Sequence, residues 1–265
     1  MSIEPLSLPD LVAASALVIA AGALSLASRL GLERRLAVAV GGAVVQLLAL
    51  GWLMKVAIEQ SSLVAASVLA IVMVLAAGRQ ALIRQQYDLG GWRTYWLGTG
   101  ALLAGGVAVS AFTLVAVIGP KPWYDARYVL AILGLIVGNV LTSVSLVLDA
   151  LFESVRIECA AIEARLALGA GRWRALERPL RDAMRAGLAP AIGTMTAGGA
   201  MVLPSMMAGQ VLAGVDPFEA AKLQIVMLFA LAGASGFAAV VAAAGAALMV
   251  TDGRHRLRIE RLARR

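Results

Sequence analysis

Seven times in 265 residues the chain runs for about twenty positions with at most one charged side chain. The runs fall at 11–28, 36–57, 63–82, 96–118, 128–149, 187–213 and 223–250. A helix needs roughly 20 apolar residues to cross a bilayer. Helices suit that solvent because each one satisfies its own backbone hydrogen bonds. A membrane barrel would show shorter segments of alternating polarity, and none is present. Charged residues make up 15% of the chain and mean hydropathy is +0.86, against about 25% charged in soluble domains. The expectation is one all-α, polytopic membrane domain over 1–265 with about seven spans.

The charges that remain are unevenly placed. Nineteen of the 23 Lys and Arg fall in 29–35, 79–93, 151–187 and the tail after Thr251. The other four are Lys55, Lys121, Arg127 and Lys222. Basic residues mark the cytoplasmic side, so the N-terminus is expected outside and the C-terminus, with its basic tail 252–265, inside. The odd span count agrees. The net charge of +7 is then matched to anionic lipid rather than nucleic acid. The start, MSIEPLSLPD, has Glu4 and Asp10 but no basic residue, so it is not expected to be a cleaved signal peptide. Cys159 is the single cysteine, which excludes an internal disulfide.

One long basic segment separates the fifth and sixth runs. In EARLALGAGRWRALERP (Glu163–Pro179) and its flanks, Ile162, Leu166, Trp173, Leu176, Leu180 and Met184 recur at helical spacing. Together they make an apolar stripe. Arg174, Arg178, Arg181 and Arg185 form a second face, and Glu177 stands four residues before Arg181 in the favourable order. Gly169 and Gly171 interrupt the pattern, because glycine ends helices by adopting positive φ. The segment reads as two helices with a bend. Such a helix can lie on lipid, connect spans, or dock in another protein's groove.

The order of residues here resembles the coupling loop of ABC-transporter permeases. Glu163 and Ala164 are followed by Gly169, and Arg165 stands where a second Ala is usual. The segment LPSMMAGQVLAGVDPFEAAKLQI (Leu203–Ile225) resembles the FetB-like iron-export permeases, whose pattern is close to LPGMMxGxIxAGxDPxxAxxYQI. Ser205 replaces a Gly and Leu223 an aromatic. VVQLLALGWLMK and GLIVGNVL are similar to further family segments. The resemblance implies the permease subunit of an ATP-driven exporter of iron or another metal in the inner (plasma) membrane. It implies two permease copies and separate ABC ATPase subunits that carry ATP and Mg. It assigns coupling to Glu163, Ala164 and Gly169, with Arg172 and Arg174 beside them, in a cytoplasmic segment of about 151–187. It assigns the pathway to Asn139, Pro204, Met206, Met207, Gly209, Gln210 and Gln224.

The residues themselves bear on these assignments. There is no GxxxxGK[ST] loop, so ATP hydrolysis is expected on another chain and no cofactor on this one. HExxH and GxSxG are missing too. Pro204 interrupts an apolar run with Gly198, Gly199 and Gly209 around it; broken helices in membranes line cavities or are covered by protein. A packing kink is the alternative. Metal ligands are unknown: His255 lies in the tail, and Met195, Met201, Met206 and Met207 are soft ligands better suited to Cu(I) than Fe(II). Gln46, Asn139 and Asp149 are polar groups in or near spans, where such groups are often functional. Gly134 and Gly138 form a GxxxG that serves either a dimer face or packing within one subunit. Asp216 is expected to cap the last span and Cys159 to be inert. Two rivals remain: an ion-coupled secondary carrier using Asp149 or Asn139, and a lipid-binding membrane scaffold.

Overall fold

The computed structural model describes residues 8–29, 31, 33–60, 63–85, 87–88, 92–119, 125–197, 204–252, 257 and 263–264. Expectations on Lys121, Gly198, Gly199, Met201 and His255 lie outside those residues. The described chain is almost wholly helical. In order come α1 (Leu8–Ala27), α2 (Glu33–Gln60), α3 (Leu63–Arg84) and α4 (Trp92–Ala101). The rod begun by α4 continues through a π-helical stretch, α5 (Ala108–Phe112) and a second π-helical stretch to Ile118. Then come α6 (Ala126–Ile157), α7 (Cys159–Ala167), α8 (Arg172–Ala175), α9 (Glu177–Ala197), α10 (Ser205–Leu212) and α11 (Pro217–Val250). One two-residue antiparallel pair, β1 (Tyr87–Asp88) with β2 (Ala263–Arg264), ties the α3–α4 connection to the tail.

Among the described residues, five helices are long and apolar enough to cross a membrane: those at 36–59, 66–84, 92–118, 126–157 and 217–250. The first expected span, 11–28, falls on α1, a helix of 20 residues. The expected span at 187–213 is not one rod. Its first part is the end of α9, and a separate α10 begins after Pro204. The fifth span was expected to end near 149 but runs on to Ile157. Its 32 residues extend about 48 Å, well beyond a hydrocarbon core of about 30 Å. The helix therefore carries its last turns out of the membrane plane.

α6 is the central element. It packs on α3, α9 and α11, and Ile136, Val140, Val144, Val147, Leu148, Leu151, Phe152 and Val155 are fully buried along it. α11 meets its neighbours through small residues: Ala234, Ala238, Ala239, Ala242, Ala246 and Ala247 are all fully buried. In lipid the hydrophobic effect does not drive helices together, so close backbone approach and dispersion must. Gly105 shows the closeness: a Cβ there would collide with the Ala234 carbonyl and with Ala238. Buried hydroxyls turn back on their own helices. Ser110 donates to the Gly106 carbonyl at 2.6 Å and Ser145 to that of Leu141 at 2.9 Å, so these two hydroxyls are paired within their own helices.

Helix ends follow local chemistry. Asp125 accepts from the Arg127 N–H at 2.9 Å. Asp216 caps α11 as expected, accepting from the Phe218 and Glu219 N–H groups at 2.9 and 3.2 Å. Pro217 then occupies the first turn, where its missing N–H costs nothing.

Candidate functional site

The charged segment folds into a bent handle beyond the end of α6. The chain breaks at Glu158, which leaves helical geometry at φ −92° and ψ 15°, and α7 begins at the next residue. α7 ends in a Schellman motif. Gly169 adopts φ +86°, its N–H donates to the Leu166 carbonyl at 3.0 Å, and the Ala170 N–H donates to that of Arg165 at 3.0 Å. That arrangement satisfies carbonyls left open at the helix end. Gly171 is ordinary extended backbone at φ −64°, so only one of the two expected breaker glycines needs to be glycine.

The handle is fixed by its apolar side. Ile162, Ala175 and Leu176 are fully buried, and Leu166 is nearly so. Leu180 and Met184 pack half-buried on the same core. Trp173, expected on this stripe, is instead 51% exposed. The bend breaks the helical phase, so residues on its two sides do not share one face. What the handle presents outward is a small-residue tip. Glu163, Ala164, Ala167 and Gly169 are exposed, and Leu168 is 89% exposed. A leucine held out at the tip of an anchored short helix is an unpartnered apolar knob.

Beside the tip runs a basic groove of about 540 Å³ lined by Arg165, Arg174, Glu177, Arg178, Arg181, Asp182 and Arg185. Arg165 also donates to the Ala175 carbonyl at 3.2 Å, clipping α7 to α8. Arg178 reaches Glu158 at 3.6 Å, Arg181 reaches Glu177 at 2.7 Å and Arg185 reaches Asp182 at 3.5 Å. The expected Glu177–Arg181 pair is therefore formed. Arg172 is half-buried and Arg174 exposed. Burial, with a contribution from the Glu163 carboxylate, pushes the Cys159 thiol up.

The residues assigned to a pathway do not gather into one cage. Pro204 stands immediately before α10 at φ −59° and ψ 138° and gives its carbonyl to the Ala208 N–H at 2.9 Å. It is a helix start after a break, not a kink. Met206 packs half-buried on the core, while Met207 and Gln210 are also half-buried. Gly209 faces open space. The Gln210 carbonyl accepts from the Val215 N–H at 3.0 Å, and Gly214 takes φ +89°, a second Schellman turn. Met206 and Gln224 stand about equally far, roughly 10–12 Å, from this turn on the two arms of the α10–α11 hairpin. The Gln224 Oε1 is buried without a hydrogen-bond partner among the described residues. Asn139 stands apart on α6, exposed, with its Nδ2 donating to the Leu135 carbonyl at 2.9 Å. Gly187 packing on Ser143 and Val147 sets Asn139 level with the 191–194 stretch of α9.

Two features were not read from sequence. Pro190 lies inside α9, where it has no N–H to donate to the carbonyl a turn earlier; a proline in an apolar run was a visible signal. The π-helical stretches Leu102–Val107 and Thr113–Ile118 have only the small-residue run GTGALLAGG as a hint. Of the GxxxG pair, a Cβ added at Gly134 would stand 3.0 Å from the Met73 methyl, and one at Gly138 would meet nothing within 4 Å. Among the described residues no three His, Cys, Asp or Glu side chains lie close enough to hold a metal ion.

Long apolar helices around a buried Ala-rich seam define a multi-pass α-helical membrane protein with a protruding charged handle. The chain belongs to the UPF0014 family, an uncharacterised protein family whose pattern matches residues 8–249. It is 34% identical over 204 residues to the UPF0014 membrane protein slr1647 of Synechocystis sp., covering 76% of each chain. It is 31% identical over 230 residues to the UPF0014 membrane protein STAR2 of Oryza sativa subsp. japonica, covering 87% of this chain and 79% of the relative. It is 29% identical over 259 residues to the probable iron export permease protein FetB of Escherichia coli, covering 96% of this chain and 95% of that one. No solved structure matches the chain.

Proposed function

We propose that this chain is the membrane permease subunit of an ATP-driven ABC exporter, working as a homodimer with two separate ATPase subunits in the plasma membrane. One observation carries the reading: a short helix outside the spans is anchored by Ile162 and Leu166 while Glu163, Ala164 and Leu168 are held outward. Lipid contact would call for a broad apolar face, whereas this tip is small and carries a carboxylate, which suits a groove in a protein. α6 runs unbroken from the membrane to within two residues of α7, so a push on the handle is delivered to the central span. The basic ends face the cytoplasm in this scheme.

The E. coli relative's name favours iron or a related metal as cargo. Pro204, Met206, Met207, Gly209, Gln210 and Gln224, with Asn139, line the route in this proposal. The orphaned Gln224 oxygen is an acceptor at membrane depth, where an unpaired polar atom costs about 1–3 kcal/mol, so a donor or cation passing there is stabilised. Co-purification of the chain with its ATPase tests the reading. Wild type should hold the ATPase, and Glu163→Arg should lose it while still inserting in the membrane. Equal capture of the ATPase by both proteins would refute it.

A further inference from the structure

A cleft of about 1250 Å³ opens at membrane depth between α2 on one side and α3, α4 and α6 on the other. Most of its lining is apolar, Leu50, Leu53, Leu69 and Val72 included. At one end the lining changes to Arg79 and Gln80, with Trp92 and Tyr95 beside them. Among the described residues no Asp or Glu lines the cleft, so the Arg79 charge has no acidic neighbour in that lining. We infer that this cleft holds an anionic phospholipid, its acyl chain along α3 and its phosphate on Arg79.

Length and headgroup chemistry favour that occupant. Leu69 and Arg79 are separated by about 15 Å of helix rise, which is one leaflet of a hydrocarbon core of about 30 Å. An acyl chain is thin enough to lie along the apolar wall that Leu50, Leu53, Leu69 and Val72 form. The polar end also has the right chemistry. Arginine binds phosphate through its planar fork, and its stem can lie along apolar surface while the head reaches the interface. Trp and Tyr prefer that same level. Tyr95 is held there by its hydroxyl, which donates to the Leu75 carbonyl at 3.4 Å, and by ring contacts with Trp92 and Trp96. A zwitterionic lipid brings its own ammonium, so one unmatched cation selects a net negative headgroup. The basic groove on the handle differs, because it carries two acids and no apolar wall.

The test uses the full chain purified in mild detergent and an equimolar mixture of phosphatidylglycerol and phosphatidylethanolamine with matched chains. Native mass spectrometry counts the lipids retained. Wild type should keep phosphatidylglycerol at least fivefold over phosphatidylethanolamine. Arg79→Gln should bring that ratio near one, and Arg79→Lys should keep most of it. Gly138→Leu, which adds a side chain into open space in the cleft wall, should cut retention of both lipids. Arg174→Gln on the handle should leave the ratio unchanged. An unaltered preference in Arg79→Gln, or full retention in Gly138→Leu, overturns the inference. So does a disulfide between two copies through Leu50→Cys at wild-type lipid occupancy, which would put a second chain in the cleft.

Discussion

Gly187 on α9 lies directly against Val147 on α6, with no room between the helices for a Cβ, and 3.1 Å would separate such an atom from the Ser143 carbonyl. This contact sets the register between the central span and the helix that returns from the handle. Gly187→Leu is expected to lower thermal stability in detergent by about 1–3 kcal/mol, the usual penalty of overpacking. Gly209→Leu, at a position with nothing within 4 Å, should leave the melting point close to that of wild type. Equal melting of the two variants would show that the α6–α9 seam is not where the helices are pressed together.

The handle's turn gives a second pair of expectations. Gly169 has φ +86°, and a side chain there costs about 1–2 kcal/mol. Gly169→Val should fray the end of α7, raising protease sensitivity around residue 168 and weakening capture of the ATPase. Gly171→Ala, at φ −64°, should do neither. Limited proteolysis and pull-down measure both.

Cys159 reports on Glu163. Its thiol is shifted up, first by burial and then by the Glu163 carboxylate. Since only the thiolate reacts, alkylation by iodoacetamide near pH 8 should be slower than in the unfolded chain and should rise as pH increases. Glu163→Gln removes the second cause and leaves the first. The pH at half-maximal rate should therefore move down in that variant but stay above the unfolded value. A midpoint that moves up would mean that Glu163 is not near the thiol.

The Arg178–Glu158 ion pair bridges α9 to the end of α6, yet Arg178 is 72% exposed. Water and salt screen such pairs, which contribute under about 1 kcal/mol. Arg178→Ala should change the melting point little, and the handle should stay seated through Ile162, Leu166 and Leu176. A large loss in low salt that disappears in high salt would show that charge, rather than packing, holds it.

These positions also show what a sequence reveals and where it fails. Gly169 was legible as a turn because glycine adopts positive φ at little cost, and Asp216 was legible as a cap because Asp-Pro precedes an apolar run. Ile162, Leu166 and Leu176 were legible as an anchored stripe. Trp173 was not, because a periodicity carried across a turn assumes one helical phase where the chain has two. The run 187–213 reads as one span because composition does not register backbone breaks; Pro204 marked a break there but not its geometry. The extension of α6 to Ile157 was hidden by Asp149 and Glu153, which look like a span edge although helix continues through them. The aromatic end of the α2–α3 cleft came from Trp92 and Tyr95 meeting Arg79 across separate helices, a juxtaposition that spacing along one segment does not contain. The location of Asn139 away from the α10–α11 hairpin is equally a matter of tertiary packing.

The most direct measurement places a cross-linker on the handle's most exposed apolar residue. With Cys159→Ser to remove the native thiol, Leu168→Cys is labelled with a short photoactivated reagent in membranes that also contain the ATPase subunit. The account predicts one adduct with the ATPase, lost in Glu163→Arg and competed by excess unlabelled permease. An adduct only with lipid, or none while the two subunits still purify together, would place the motor's grip elsewhere and contradict it.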